Sequence, residues 1–232
     1  MSDSIQRSAA VLYQMEEETP GLKESAQALV SDTMLWPALN GTGATREEKE
    51  ELIRTAPMLA GKEQLTAFVL LLLEQGTLDS LPAILRELRQ LELAREIKKP
   101  VIIHSRDAAK DTVDLMTEAH AEEIGGVIHC YSYTKETAKI FLDMGFYFGI
   151  GGVLTFKNAK KLKEAVEYIP MDRIVLETDC PYLAPEPNRG KRNSSLNIPY
   201  VIAAMAQIKG ITEEEVRKAA WDNSLRLYHI EK

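Results

Sequence analysis

Apolar residues recur at helical spacing through the first 88 residues of the chain. The pattern is clearest in four stretches, 9–15, 22–30, 52–59 and 65–73. Turn signals rich in Pro and Gly separate these stretches. Thr45 and Glu48 have the spacing of a capping box, in which each side chain bonds the backbone of the other. This part of the sequence therefore predicts an all-α helical bundle.

The pattern changes after Pro100 to short apolar runs that alternate with helical stretches. The predicted strands are 101–104, 126–129, 146–150 and 173–179. The predicted helices are 108–119, 134–144, 158–168, 199–209 and 212–229. Strand–helix–strand order places parallel strands side by side, with helices packed outside them. The second part predicts an α/β domain of about four parallel strands, too few to close an eight-stranded barrel.

One apolar stripe crosses the border between these two parts. It consists of Leu81, Ile84, Leu85, Leu88, Leu91, Ala94 and Ile97. Because the helical spacing is unbroken, the sequence predicts one continuous helix there and no flexible linker.

Charge is divided unevenly along the chain, whose formal net charge is -7. Residues 1–88 hold 14 acidic and 7 basic side chains, whereas residues 89–232 hold 21 of each. All four histidines lie in the second part, and two of them, His120 and His229, fall in helical stretches and are expected at the surface. This break in composition favours two domains, 1–88 and 89–232.

The cysteines and the longest apolar run indicate the cellular compartment in which the protein is expected. Cys130 and Cys180 lie in apolar runs that predict buried strands, which favours free thiols in a reducing compartment. The apolar run at 65–73 is well short of the roughly 20 residues that a membrane helix needs. We therefore expect a cytoplasmic protein without a membrane span.

Three predicted strands end in residue types that bind metals. His104 and His129 close the first two, and Glu177 with Asp179 closes the last. Strand alternation places Glu177 and Asp179 on one face, and ligands gather at the carboxyl edge of parallel sheets. Either histidine alone would be explained as a hydrogen-bonded strand residue. Recurrence at three strand ends favours a site for zinc, manganese or a similar divalent ion.

A cationic segment follows the last predicted strand. Arg189, Lys191 and Arg192 lie close together within PYLAPEPNRGKRNSS. Such a segment holds phosphate by charge and by forked guanidinium hydrogen bonds. The alternative is a solvated loop of mixed charge, but the position beside the candidate metal ligands favours phosphate binding.

Four motifs match one known family. HSRDA at 104–108, HCYS at 129–132, ETDCPYLAP at 177–185 and RGKRN at 189–193 resemble TatD-type deoxyribonucleases. The similarity extends over about residues 90–232. It implies a metal-dependent hydrolase of the amidohydrolase superfamily that acts on DNA through a two-metal site in a (βα)8-like barrel of the TIM type.

The resemblance also implies roles for single residues. His104, His129 and Asp179 would be metal ligands, and Asp179 would be the catalytic residue that helps to activate the attacking water. Apart from the resemblance, Glu177 and Arg106 are candidates to support these ligands from beside the site. The implied cofactor is a divalent metal, Zn, Mn or Mg.

The chain departs from the family pattern before the HSRDA motif. The family has a strand ending in His-x-His and another supplying a metal-bridging Glu upstream of that motif, whereas no histidine precedes His104 here. The fold class expected is therefore multi-domain, an all-α bundle followed by a partial (βα) barrel of the TIM type. With an incomplete barrel and metal site, cleavage of phosphodiester bonds in DNA is expected to be impaired or absent.

The helical part resembles a different family. The run 35–88, above all LLLEQGTLDSLPAIL at 71–85, is similar to the N-terminal helical domain of the F-type ATP synthase delta subunit. That resemblance implies a binding module for the synthase alpha subunit. The chain is accordingly interpreted as a chimera joined within the helix near 86–92.

Two readings of function follow, from different classes. The first is the impaired TatD-like hydrolase with DNA as its partner. The alternative is a non-enzymatic helical interaction module that carries an inert half barrel. In either case the open sheet edges, at Val101 and near Asp179, predict self-association.

Overall fold

A computed structural model of the chain describes residues 3–231. Six α-helices precede the first strand. They are α1 (Asp3–Glu18), α2 (Leu22–Ser31), α3 (Leu35–Asn40), α4 (Arg46–Thr55), α5 (Glu63–Glu74) and α6 (Leu81–Glu96). The capping box predicted from Thr45 and Glu48 is confirmed, since the Glu48 N–H donates to Oγ1 of Thr45 at 3.2 Å and the Thr45 N–H to Oε2 of Glu48 at 2.7 Å.

The chain divides into two compact units. The first ends at Leu93 and also takes in Asp114–Ala119, while the second holds Ala94–Val113 and the chain from His120 onward. The continuous helix predicted across the border is confirmed as α6, which contributes residues to both units. The core of the first unit is formed by fully buried side chains from several helices, including Leu12, Leu29, Ile53 and Leu65.

Four parallel strands and five further helices follow α6. They are β1 (Val101–His104), α7 (Ala109–Glu118), β2 (Gly126–His129), α8 (Lys135–Asp143), β3 (Tyr147–Ile150), α9 (Lys160–Tyr168), β4 (Ile174–Leu176), α10 (Ile198–Lys209) and α11 (Glu213–Leu227). The sheet order is β1-β2-β3-β4, and every pair is parallel. The four parallel strands predicted from the alternation after Pro100 are thus confirmed, with β1 and β2 at the predicted bounds.

The last predicted strand is too long. β4 ends at Leu176 and not at residue 179, so Glu177 and Asp179 lie beyond the sheet. The Glu177 N–H still donates to the Ile150 carbonyl at 3.1 Å, but Asp179 has a left-handed φ of 51° that turns the chain away. Strand alternation is therefore the wrong reason for placing these two carboxylates together, and the loop geometry decides their positions.

The prediction that both cysteines lie in buried strands is wrong. Cys130 follows β2 with a φ of 49° and is half-buried, and Cys180 is exposed in the loop after β4. Both are free thiols. Among the residues that the structure describes, no helix is long and apolar enough to cross a membrane.

The C-terminal helix α11 packs against the sheet. Leu227 forms a buried cluster with Val127 of β2 and Val175 of β4. Asn223, fully buried, donates from Nδ2 to the Met171 carbonyl at 2.8 Å and the Ile174 carbonyl at 2.6 Å. These contacts fix the start of β4, and hence the strand that leads into the candidate site.

Candidate metal centre

The register of the sheet brings two predicted ligands side by side. β1 and β2 pair so that His104 lies opposite His129, both at the carboxyl ends of their strands. Their ring centroids are 5.7 Å apart. His104 lies on the outermost strand and is exposed, whereas only 24% of the His129 side chain is exposed.

His129 lies between the two carboxylates that follow β4. Its Nδ1 is 2.8 Å from Oε2 of Glu177, and its Nε2 is 3.4 Å from Oδ1 of Asp179. A proton on Nδ1 that donates to Glu177 leaves the Nε2 lone pair directed toward Asp179. A carboxylate that fixes the tautomer of a histidine in this way is a common support for a metal ligand.

Glu177 is held from two sides. Its Oε1 accepts a hydrogen bond from the Cys130 N–H at 2.5 Å, while Oε2 binds His129. Burial raises the pKa of Glu177, and the adjacent His129 and the Cys130 N–H oppose that rise. The sequence named Glu177 only as a supporting residue, and the structure places it directly against His129.

A glycine makes this arrangement possible. A Cβ at Gly149 of β3 would lie 2.3 Å from Oε2 and 2.7 Å from Cδ of Glu177. No side chain at position 149 is compatible with the carboxylate where it stands. Sequence reasoning missed Gly149, because its requirement comes from a residue 28 positions away.

The donor atoms around His129 suit a divalent ion. Two ligands at about 2.0–2.1 Å from one tetrahedral ion are separated by about 3.4 Å. The Nε2–Oδ1 distance of 3.4 Å agrees with that separation, and an imidazole with a carboxylate suits zinc or manganese. However, among the side chains that the structure describes, no three of His, Cys, Asp or Glu are grouped closely enough to hold a metal ion. The structure brings His129 and Asp179 together and leaves His104 on the neighbouring strand.

The loop after β1 is fixed by buried hydroxyls that sequence reasoning missed. Oγ of Ser105 lies 2.7 Å from both Oγ1 of Thr112 and the Tyr133 hydroxyl. The Ala108 N–H also donates to that hydroxyl at 3.2 Å. Arg106, on the same loop, projects into solvent with 85% of its side chain exposed. Hydrogen bonds thus tie the base of the loop, while Arg106, with Asp107 beside it, is exposed.

The cationic segment is exposed, as a phosphate-binding surface requires. Arg189, Lys191 and Arg192 are all exposed. The Arg189 guanidinium lies over the Phe156 ring, with Cζ 4.2 Å from its centroid. Stacking of this kind limits the positions that the guanidinium samples.

The remaining histidines are at the surface, as the sequence predicted. His120 is exposed, with Nδ1 3.4 Å from Oε1 of Glu122, and His229 is exposed at the end of α11.

These features define a class, a parallel α/β protein with imidazole and carboxylate groups at the carboxyl edge of its sheet. The family model for TatD related DNase matches residues 84–229. The chain belongs to this family.

Relatives match a similar length of the chain. The uncharacterized metal-dependent hydrolase YcfH of Escherichia coli (strain K12) is 44% identical over 144 residues, which are 62% of this chain and 54% of that protein. The 3'-5' ssDNA/RNA exonuclease TatD of Rahnella sp. (strain Y9602) is 32% identical over 146 residues, 61% of this chain and 56% of that protein. The chain thus spans about half the length of the curated relatives it matches.

A solved structure has a similar fold. The crystal structure of YJJV, a TatD homolog from Escherichia coli K12, superposes with a TM-score of 0.57 at 20% identity. The match covers 82% of this chain and 72% of that one. This likeness supports the TIM-barrel-like character of the four-stranded sheet.

Proposed function

We propose that the chain is a metal-dependent hydrolase that cleaves phosphodiester bonds in DNA. The observation that carries the proposal is the placement of His129 between Glu177 and Asp179 at the carboxyl edge of the sheet. Membership of the TatD related DNase family supports the reaction class. The names of two relatives, a metal-dependent hydrolase and a 3'-5' ssDNA/RNA exonuclease, agree with it.

Each residue then has a defined role. Nε2 of His129 and the Asp179 carboxylate would hold the metal, and His104 would be the third ligand once its side chain moved toward them. Glu177 holds the imidazole in the required tautomer. Asp179 also accepts the proton of the attacking water. The chemistry that a divalent ion held there, Zn, Mn or Mg, would supply is polarisation of a phosphoryl oxygen and a lower pKa of bound water.

The cationic groups position the substrate. Arg189, Lys191 and Arg192 bind the phosphates of a DNA strand beside the metal ligands. Arg106, expected from the sequence to support the metal ligands, is instead exposed on the loop after His104, and we propose that it assists phosphate binding there. Their exposure allows a polymer to reach them.

We further propose that the activity is weak. Two candidate ligands, His129 and Asp179, converge, while His104 lies on the exposed outer strand. A two-metal clamp needs more ligands than these three. We therefore expect the chain to bind a single ion and to cleave DNA slowly.

Manganese binding tests the proposal. Isothermal calorimetry on the full chain is expected to give micromolar binding of Mn²⁺ that is lost in His129→Ala. His229→Ala, at an exposed histidine outside the site, is the matched control and is expected to bind as the parent does. Cleavage of end-labelled single-stranded DNA should need Mn²⁺ and disappear in Asp179→Asn. Metal-independent cleavage, or binding unaffected by His129→Ala, would refute the assignment.

A second candidate function concerns the helical part. We propose that residues 1–88 and 89–232 act as separate domains and that the first is a binding module for a helical segment of the ATP synthase alpha subunit. A groove between α2 and α6 supports this reading. Its lining includes Gln27, Ala28, Leu85, Arg89 and Glu92.

Peptide binding distinguishes the two candidates. A fluorescent peptide from the N-terminus of the alpha subunit is expected to bind the chain and to lose affinity in Ala28→Glu, which places a charge in the groove. Ala67→Glu, at an exposed position of α5, is the control. An unchanged affinity in Ala28→Glu would exclude this groove.

Self-association is proposed from the edge of the sheet. β1 is an outer strand of the described sheet, and Ile102 on it is 62% exposed. Exposed apolar edges pair with other chains. Sedimentation is expected to detect oligomers that Ile102→Lys reduces, whereas a compact monomer at all concentrations would contradict the proposal.

A further inference from the structure

Three side-chain amides form a chain of hydrogen bonds between the cationic segment and the loop that follows β4. Nδ2 of Asn188 donates to Oδ1 of Asn197 at 3.0 Å, and Nδ2 of Asn197 donates to Oδ1 of Asn193 at 2.9 Å. Nδ2 of Asn193 then donates to two carbonyls, Thr178 at 2.6 Å and Tyr182 at 2.8 Å. The chain therefore ends on the backbone of the loop after β4.

Asn193 uses its full hydrogen-bonding capacity. Its Oδ1 accepts from the Ser194 N–H at 2.9 Å as well as from Asn197, and its own N–H donates to the Pro181 carbonyl at 2.9 Å. The residue is only 3% exposed. A side-chain amide has two donors and an oxygen with two acceptor positions, and all four are used here. Its orientation is fixed by these partners.

The loop that Asn193 holds contains Asp179. The carbonyls of Thr178 and Tyr182 lie on either side of that residue, and the Tyr182 N–H donates to the Asp179 carbonyl at 2.9 Å. Asp179 has a φ of 51°, a left-handed conformation that a non-glycine residue keeps only where its surroundings hold it. Asn193 binds the carbonyls of Thr178 and Tyr182 on either side of this residue in the sequence, and so restrains the chain around it.

The same amides hold the cationic segment at both ends. Arg189, Lys191 and Arg192 lie between Asn188 and Asn193 in the sequence. The Lys191 N–H donates to the Asn188 carbonyl at 3.1 Å, which closes a turn inside the segment. The segment is therefore tied to the loop of the catalytic carboxylate directly through Asn193, and indirectly from Asn188 through Asn197 and Asn193.

We propose that Asn193 is a positioning residue. It sets the Asp179 carboxylate against His129 and, through Asn197 and Asn188, keeps the phosphate-binding segment in register with it. The catalytic consequence rests on the proposed function, whereas the ordering of the loop does not.

The first test replaces the side-chain amide nitrogen of Asn193 by an oxygen. Asn193→Asp keeps the shape of the side chain but, in either protonation state, leaves at least one of the two loop carbonyls without a donor. Asn158→Asp makes the same replacement at an exposed position and is the control. In the full chain, hydrogen exchange of the Tyr182 amide is expected to quicken at least tenfold, with β3 unchanged. Mn²⁺ is expected to bind at least tenfold more weakly, and kcat on single-stranded DNA should fall with little change in KM.

A second variant examines the other end of the amide chain. Asn188→Ala leaves Asn193 bound to its loop, so Mn²⁺ affinity should stay as in the parent while KM for single-stranded DNA rises at least threefold. A merely structural role would not separate KM from metal affinity in this way. If Asn193→Asp does not fold, the proposal is tested by Asn188→Ala alone, through a rise in KM without a change in Mn²⁺ affinity.

Three results would overturn the inference or locate its failure. Unchanged exchange and unchanged Mn²⁺ affinity in Asn193→Asp would refute the positioning role. An unchanged KM in Asn188→Ala would refute the coupling to the cationic segment. If the parent chain neither binds Mn²⁺ nor cleaves DNA, the proposed function fails, and the exchange of the Tyr182 amide alone decides whether Asn193 orders the loop.

Discussion

The close approach of Gly149 and Glu177 gives the sharpest prediction. Gly149→Ala would place a Cβ 2.3 Å from Oε2 of Glu177, a distance at which one of them must move. The flexible carboxylate is the part that yields. Its movement breaks the hydrogen bonds to His129 and to the Cys130 N–H, which are 2.8 Å and 2.5 Å long.

The magnitude follows from these two bonds. Hydrogen bonds to a charged group contribute about 1.5–3 kcal/mol each. Replacing glycine by alanine at an unstrained position stabilises by about 0.4–1 kcal/mol through the unfolded state, and partial rehydration of the displaced carboxylate recovers some of the loss. We expect the free energy of unfolding to fall by about 2–4 kcal/mol.

Urea unfolding of four variants measures the effect. The change in free energy of unfolding caused by Gly149→Ala is measured in the parent and in a Glu177→Ala background. In that background there is no carboxylate to displace, so the change should be close to zero. Gly43→Ala is the control, because a Cβ at Gly43 meets nothing within 4 Å. An equal cost of Gly149→Ala in both backgrounds would refute the reasoning, since the loss would then not depend on Glu177.

Three further outcomes are expected. Burial raises the pKa of Cys130 to about 12, whereas Cys180 is exposed. At pH 8 a thiol reagent should therefore label Cys180 quickly and Cys130 slowly, and Cys180→Ser should remove the fast phase. Equal labelling rates of the two thiols would contradict this. Burial and Asp114 raise the pKa of Glu118, so its ionised form is disfavoured in the folded state. Glu118→Gln should therefore be more stable than the parent at pH 7, with the difference shrinking as pH falls toward the unfolded pKa of about 4.3; a gap that widens in acid would oppose this. Asn223→Ala should lower the free energy of unfolding by about 2–4 kcal/mol, because two carbonyls at the start of β4 lose their donor, and a loss below about 0.5 kcal/mol in urea unfolding would count against it.

Much of the secondary structure was predictable from local pattern. Apolar spacing and Pro100 located all four strands and every helix except α3, and the Thr45–Glu48 spacing identified a capping box that the structure confirms. The motifs identified the TatD family over the part of the chain that its family model matches. These signals depend on residues that are near one another in the sequence, so they can be interpreted without knowledge of the fold.

The length of β4 and the burial of the cysteines were not predictable. Both depend on the left-handed turns at Cys130 and Asp179, whose φ values are 49° and 51°. The residues that lead into these turns have the composition of a strand. The apolar pattern alone therefore predicted that the last strand continues to residue 179. Only contacts made elsewhere in the fold hold a non-glycine residue in that conformation.

The sequence by itself determined the residue types available for chemistry and the strands that carry them. It placed His104 and His129 at strand ends and named Glu177 and Asp179 as their partners. The tertiary structure decided which atoms meet: Nδ1 of His129 with Glu177, Nε2 with Asp179, and the Glu177 carboxylate over Gly149. The physical reason is that these contacts join residues 20 or more positions apart, whose distances are set by sheet register and loop hydrogen bonds and leave no periodic trace in the chain.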